Sequence, residues 1–177
     1  MEAQKVLVER LAPSVNVDSI IIPISSTGHV LIPEFYKYLD KSIKDLVTKF
    51  IESFGGELPV GYILEIRRLK SLKAKVVYYV TISKEVNPTT YNIDDLRLYY
   101  RNTIKRVKGS GMHSMAIAPP FTNSKSALES VIRALIKEIR PHIYFFDRIY
   151  LLYYSALVRD LIMNNLDLLD PLSAVDL

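Results

Sequence analysis

The chain contains no cysteine and no tryptophan. The first absence excludes a disulfide framework, thiolate metal sites and a cysteine nucleophile together, and it suits a reducing compartment. Histidine is scarce: His29, His113 and His142 stand far apart, with no i,i+4 pair and no HExxH arrangement, so no metal and no cofactor is expected from spacing. Long apolar runs are missing as well. Val76–Val80 and Ile149–Tyr154 fall far short of the ~20 residues that cross a bilayer. Met1–Arg10 carries Glu2, Lys5, Glu9 and Arg10 among its apolar residues, unlike a signal or transit peptide. The expectation is a soluble, intracellular (cytoplasmic) protein with no membrane partner.

What is present is the composition of one globular domain. With 177 residues, 49% hydrophobic and 24% charged, the chain can bury roughly two thirds of its unfolded surface without a covalent staple. Its richness in Ile, Leu, Lys and Tyr fits a thermophile. The net charge is a mild +4. Basic residues gather in Arg67, Arg68, Lys70, Lys73 and Lys75 and again in Lys105, Arg106 and Lys108. On one shared face they could attract RNA or single-stranded nucleic acid, although a solvated strand edge and a helix end also explain them.

Val6–Leu11 and Asp18–Ile24 are expected as strands, the second central because Ile20-Ile21-Ile22 is a β-branched run suited to burial on both faces. From Pro33 to Phe54, the residues Phe35, Leu39, Ile43, Leu46, Val47, Phe50, Ile51 and Phe54 recur three and four apart, opposite Lys37, Lys41, Lys44 and Lys49. This predicts an amphipathic helix, and Gly55-Gly56 follow where a left-handed residue is wanted. Val60–Leu69 and Ala74–Ile82 predict an antiparallel pair, since parallel strands need a longer crossover. Ile93, Leu96, Tyr100, Ile104 and Val107 mark a second helix, begun by Asp94-Asp95 and stopped by Gly109 and Gly111.

His113–Ala118 is expected as a short central strand ended by Pro119-Pro120. A third helix begins near Ser124, where Ser126 and Glu129 have capping-box spacing. After Pro141, His142–Asp147 is the expected last strand, and Ile149 to about Asn165 the last helix. In each of the pairs Tyr78-Tyr79, Tyr99-Tyr100 and Tyr153-Tyr154, one ring is expected off the core. The order β-β-α-β-β-α-β-α-β-α predicts an α/β protein in three α/β/α layers around a central mixed β-sheet. Residues 1–166 form the expected domain and 167–177 a tail, whose Leu168, Leu169, Leu172, Val175 and Leu177 could strap a protein partner or make a homo-oligomer.

An ordered series of segments carries a resemblance. Asn16-Val17-Asp18-Ser19-Ile20-Ile21 is similar to a strand written "VDAIVNAAN". Leu96, Tyr100, Arg101, Asn102 and Ile104, followed by Ser114-Met115-Ala116-Ile117-Ala118-Pro119, are similar to "aYrnsL…SIAfP". His142–Asp147 with Tyr150 and Tyr154 is similar to "V.fv.fd…Y…Y". The sequence thus resembles a macro domain, a family that binds ADP-ribose and related nucleotides. The resemblance implies a macro-domain-like fold with a ligand cleft at the carboxyl ends of the central strands. Ser25, Ser26, Thr27, Gly28, His29, Pro120, Phe121, Thr122 and Asn123 would line it, Phe146 and Tyr150 would stack on a base, and Gly28 and Asn123 would admit phosphate.

Departures fall on the ligand loops. The family's adenine-reading aspartate corresponds to Leu11, the first asparagine of "NAAN" to Ile22 and the second to Ser25. Its glycine-rich loop shrinks to Ser26-Thr27-Gly28-His29, and its second phosphate loop becomes Phe121-Thr122-Asn123-Ser124-Lys125. Backbone N–H groups approach a diphosphate only where side chains are missing, and of the first loop Gly28 alone keeps that property. Ser25 lacks the amide that hydrolytic members use, which argues against ADP-ribosyl hydrolase activity. Ser25, Ser26, Thr27 and His29 have no aspartate orienter, and hydroxyls at a strand end are common turn formers. The expectation is a divergent binding module for ADP-ribose or a related nucleotide, without catalytic residues. A protein-interaction domain that has lost its ligand and a nucleic-acid binder are the alternatives.

Overall fold

A computed structural model describes residues 5–33, 35, 41–67 and 72–170, with the backbone alone at 41–43. Strands β1 (Val6–Arg10), β2 (Ser19–Ser25), β3 (Ile63–Arg67), β4 (Val76–Ser83), β5 (Ser114–Ile117) and β6 (Arg148–Tyr153) form one sheet in the order β1-β6-β5-β2-β4-β3. Every pairing is parallel except β3 with β4, whose link is too short for a crossover. Helices α1 (Lys41–Ser53), α2 (Ile93–Gly109), α3 (Lys125–Ile139) and α4 (Ala156–Asn164) interleave with the strands in the expected order.

Burial on both faces explains the composition of the central strands. All residues of β2 are buried. Ile21 joins a core under α2, α3 and α4, whereas Ile20, Ile22 and Ile24 join a second core with Ile51 of α1. The same alternation buries both members of the Tyr78-Tyr79 pair, at 0% and 2% exposure, one in each core. The expectation that one of these rings would leave the core is therefore corrected, because both faces of this sheet are core. The result is a three-layer α/β/α fold.

Two boundaries, one cap and one apolar stripe differ from expectation. The last strand is not His142–Asp147 but β6, because a 3-10 turn occupies Arg140–His142 and a turn continues beyond it. The last helix accordingly starts at Ala156, where the Ser155 side chain accepts from Val158 N–H at 3.2 Å. Helix α3 is capped by Ser124, which accepts from Ala127 N–H at 3.3 Å, and not by Ser126 with Glu129. On α1 the apolar stripe is divided: Ile51 is buried, while Leu46 and Phe54 face solvent. The expected beginning of that helix at 34 and 36–40 lies outside the described residues, as do Arg68, Lys70 and the tail from 171 onward. Leu168, in the 3-10 turn Leu166–Leu169, packs into the core with residues of α3.

Helices α2 and α3 are joined by one buried carboxylate. Glu138 accepts from Arg97 Nε at 2.8 Å and from Arg101 Nε and Nη2 at 3.0 and 2.9 Å. Burial raises the pKa of this carboxyl, but the hydrogen bonds and charges of the two guanidinium groups outweigh it, leaving the group below its ordinary value.

Candidate functional site

At the end of β2 the chain doubles back on itself. Ser25 N–H donates to His29 O at 2.8 Å and Gly28 N–H to Ser25 O at 2.9 Å. His29 N–H donates to Ser25 Oγ at 3.1 Å, and Ser25 Oγ also meets Thr27 Oγ1 at 3.1 Å. An antiparallel bridge between Ile24 and Val30 closes the turn. Gly28 is needed for two reasons: its φ is +82°, and a Cβ there would lie 2.4 Å from Ile51 Cδ1. The turn is thus seated against α1.

The second loop, after β5, is tied to the first by Phe121 N–H, which donates to Leu31 O at 2.8 Å. Tyr154 OH donates to Pro119 O at 3.0 Å, Tyr91 OH to Phe121 O at 3.3 Å, and Thr122 Oγ1 to Thr89 O. Between the two loops, the flank of α1 and the segment after β4 lies a cleft of about 630 Å³. It sits where loops leave the carboxyl ends of parallel strands, the usual ligand crevice of an open α/β sheet.

Of the residues expected at a ligand site, Thr27, Gly28, His29, Phe121, Thr122 and Asn123 line this cleft. Ser25, Ser26 and Pro120 are buried beside it and do not line it. Phe146 lies wholly in the core under α3, and Tyr150 sits within β6 beside the α1-side core. Neither lines the cleft, a consequence of the shifted position of the last strand. Leu11 is likewise a core residue.

Lys44, Val47, Thr48, Ile51, Tyr79 and the segment Val86–Pro88 also line the cleft, and sequence reasoning did not assign them. Val47 and Ile51 read as core because helical period cannot distinguish a core stripe from a cleft wall. The Asn87-Pro88 break offered a signal, since every loop after a parallel strand of such a sheet reaches the same edge. Tyr79 is the most informative of them. It is 2% exposed, and its hydroxyl is buried with no hydrogen-bond partner among the described residues. Burial pushes its pKa above the ordinary value, so the phenol stays neutral and can donate or accept.

The basic residues are largely engaged locally. Arg67 pairs with Glu65 at 3.5 Å, Lys75 with Asp18 at 3.2 Å, and Arg106 donates to Ile63 O at 3.2 Å. Lys108 Nζ lies 3.2 Å from His142 Nδ1. Among the described residues no group of three or more His, Cys, Asp or Glu side chains could hold a metal ion, and no helix is long and apolar enough to cross a membrane.

Comparison with known proteins gives two findings. Residues 23–149 match the cytosol aminopeptidase family, N-terminal domain. Solved macrodomains share the fold. The macro domain of ganglioside induced differentiation associated protein 2 is 15% identical, with 96% of this chain and 87% of that chain covered and a TM-score of 0.72. A mutant macrodomain of Oceanobacillus iheyensis with ADPR is 12% identical, over 90% of each chain, with a TM-score of 0.67. The Trypanosoma brucei macrodomain in complex with ADP is 14% identical, over 92% of this chain and 69% of that one, with a TM-score of 0.65. No curated protein sequence matches. The macro-domain resemblance is therefore upheld at the level of fold, while the aminopeptidase family was not legible in any motif.

Proposed function

The chain belongs to the cytosol aminopeptidase family, whose N-terminal domain it matches over residues 23–149, and from this membership and the macrodomain fold we propose that it is a non-catalytic binding module for a ligand of the ADP-ribose class. One observation carries the reading: the cleft of about 630 Å³ at the carboxyl ends of β2 and β4, where the two loops, α1 and the segment after β4 bring apolar walls and polar side chains together. A concave, largely apolar surface with a few convergent polar groups is the usual form of a small-molecule site. Two of the solved macrodomains of this fold carry ADPR or ADP in their crystals, which supports the choice of ligand class.

In this reading Thr27, Thr48, Asn87 and Asn123 offer side-chain polar groups, and Phe121 with Ile24, Val47 and Ile51 offers apolar walls. Ser25, Ser26 and Pro120 support the walls from behind. A cytoplasmic site of action is proposed with it. Titration calorimetry of the full chain with ADP-ribose and ADP is the test. Saturable heat at micromolar to millimolar ligand is expected; no heat with either ligand at millimolar concentration would overturn the proposal. Incubation with ADP-ribosylated peptide should release no ADP-ribose.

A further inference from the structure

Positive charge on α2 is gathered on one side. Arg97, Arg101, Lys105 and Lys108 recur at helical spacing, so they fall within about 80° of arc and along roughly 16 Å of the axis. Arg106 lies on another side of the helix, where it donates to Ile63 O at 3.2 Å. Two carboxylates share the stripe, Asp94 in its first turn and Glu138 from α3. Glu138 is one charge set against two guanidinium groups, and it is the buried member: its side chain is 5% exposed, those of Arg97 and Arg101 37% and 42%. The stripe therefore shows solvent mainly its cations.

Aromatic rings stand at the end of the stripe. Lys108 Nζ lies 4.8 Å from the centroid of Phe145 and 3.2 Å from His142 Nδ1. Burial first, and then the charge of Lys108, holds the His142 pKa below its ordinary value against the opposing pull of Glu138, so the local field is positive there as well. Phe145 is braced by the buried Phe146, with ring centroids 5.1 Å apart at 84°. Phe145 and its neighbour Tyr144 are nonetheless 42% and 64% exposed.

A row of cations ending on exposed rings is complementary to a strand of phosphates with unpaired bases. The cations neutralise phosphates, and the rings stack on base faces that a duplex hides. An acidic peptide would use the cations and leave the rings without a role. We propose that the α2 stripe, with Tyr144 and Phe145, is a binding surface for single-stranded nucleic acid. None of these residues lines the cleft, so this surface and the nucleotide reading above can fail separately. Binding here is tolerant of sequence, because every base has a π face.

Fluorescence anisotropy of a labelled oligouridine of about twelve nucleotides, titrated with the full chain, tests the proposal. Saturable binding is expected at low salt, weakening about twentyfold to fiftyfold between about 50 and 200 mM salt, as three or four phosphate contacts on a single strand require. Lys105→Gln should bind about fivefold to tenfold more weakly at low salt and with a shallower salt dependence. Lys49→Gln removes the same charge from an exposed position on α1, across the sheet, and should stay within about twofold of wild type. Tyr144→Ala should cost about tenfold with the salt dependence unchanged. No saturable binding at low salt overturns the proposal, and so does equal weakening by Lys49→Gln and Lys105→Gln, which would mean that net charge alone attracts the strand. A duplex that binds more tightly than the single strand, or a Tyr144→Ala protein that binds like wild type, overturns the single-strand assignment. Polyglutamate that displaces the labelled strand as well as unlabelled oligouridine does would overturn it in favour of an acidic protein partner.

Discussion

Gly28 packs directly on Ile51: a Cβ on Gly28 would stand 2.4 Å from Ile51 Cδ1, with Val47 Cγ1 at 3.3 Å. The contact seats the β2 turn on α1, and both residues line the cleft. Gly28→Ala is expected to destabilise the fold by about 2 kcal/mol, since a left-handed alanine alone costs about 1–2 kcal/mol and Ile51 must also shift. Ile51→Val removes the clashing Cδ1. It should cost about 1 kcal/mol in the wild-type background and less in Gly28→Ala. Urea denaturation of the four proteins reads the coupling directly, and strict additivity would show that the contact does not govern the turn.

A second expectation concerns Glu138, whose side chain is 5% exposed between Arg97 and Arg101. Its folded pKa lies below the ordinary 4.5, so its contribution is fully present above that value and is lost as pH falls through the folded one. Glu138→Gln should cost about 2 kcal/mol near neutral pH, less than a wholly buried pair because both arginines reach water. The gap between variant and wild type should narrow when denaturation is repeated well below pH 4.5. A gap that stays constant with pH would mean the carboxylate charge is irrelevant to stability.

Tyr100 leads to a prediction of opposite sign. Its ring is wholly buried, its hydroxyl has no hydrogen-bond partner among the described residues, and burial, with the nearby Tyr91 and Tyr154, holds its pKa well above the ordinary value. Removing a buried polar atom that lacks a partner is neutral or favourable. Tyr100→Phe should therefore leave the thermal midpoint unchanged or raise it, by up to about 1 kcal/mol in stability. A clear fall would reveal a water or protein partner for the hydroxyl.

The fold was more legible than the site, for a physical reason. Burial on both faces of a parallel sheet writes itself into runs such as Ile20-Ile21-Ile22, and helix period writes itself into α2 and α3, so element order followed from local pattern. The run from His142 to Tyr154 is apolar almost throughout, and period alone cannot place a strand within such a run. Pairing does: Ile149 and Leu151 lie opposite Met115 and Ile117 of β5. That choice carried Phe146 and Tyr150 away from the cleft. The shortened loop at Ser25–His29 was visible in sequence, but its consequence was not, because only the hydrogen bonds show that the N–H groups of Ser25, Ser26, Gly28 and His29 are already used. Tyr79 was hidden for the same reason, since the burial of its hydroxyl with no partner among the described residues depends on surroundings contributed by distant segments.

The last prediction takes the opposite end of the sheet, where Lys108 Nζ lies 3.2 Å from His142 Nδ1 and 4.8 Å from the Phe145 ring centroid. Burial and then the charge of Lys108, with Lys105 adding to it, hold the His142 pKa below 6.5, and Glu138 opposes them. A lowered histidine pKa means that folding favours the neutral ring, so the stability it contributes is present above 6.5 and is lost as pH falls through the folded value. Lys108→Met removes the nearest charge while keeping an unbranched apolar stem against Phe145. The His142 pKa, followed by NMR titration of its ring protons, should rise toward 6.5 without reaching it, because burial remains. An unmoved pKa would mean that burial alone sets it, and a value above 6.5 would mean that Glu138 dominates once the lysine is gone.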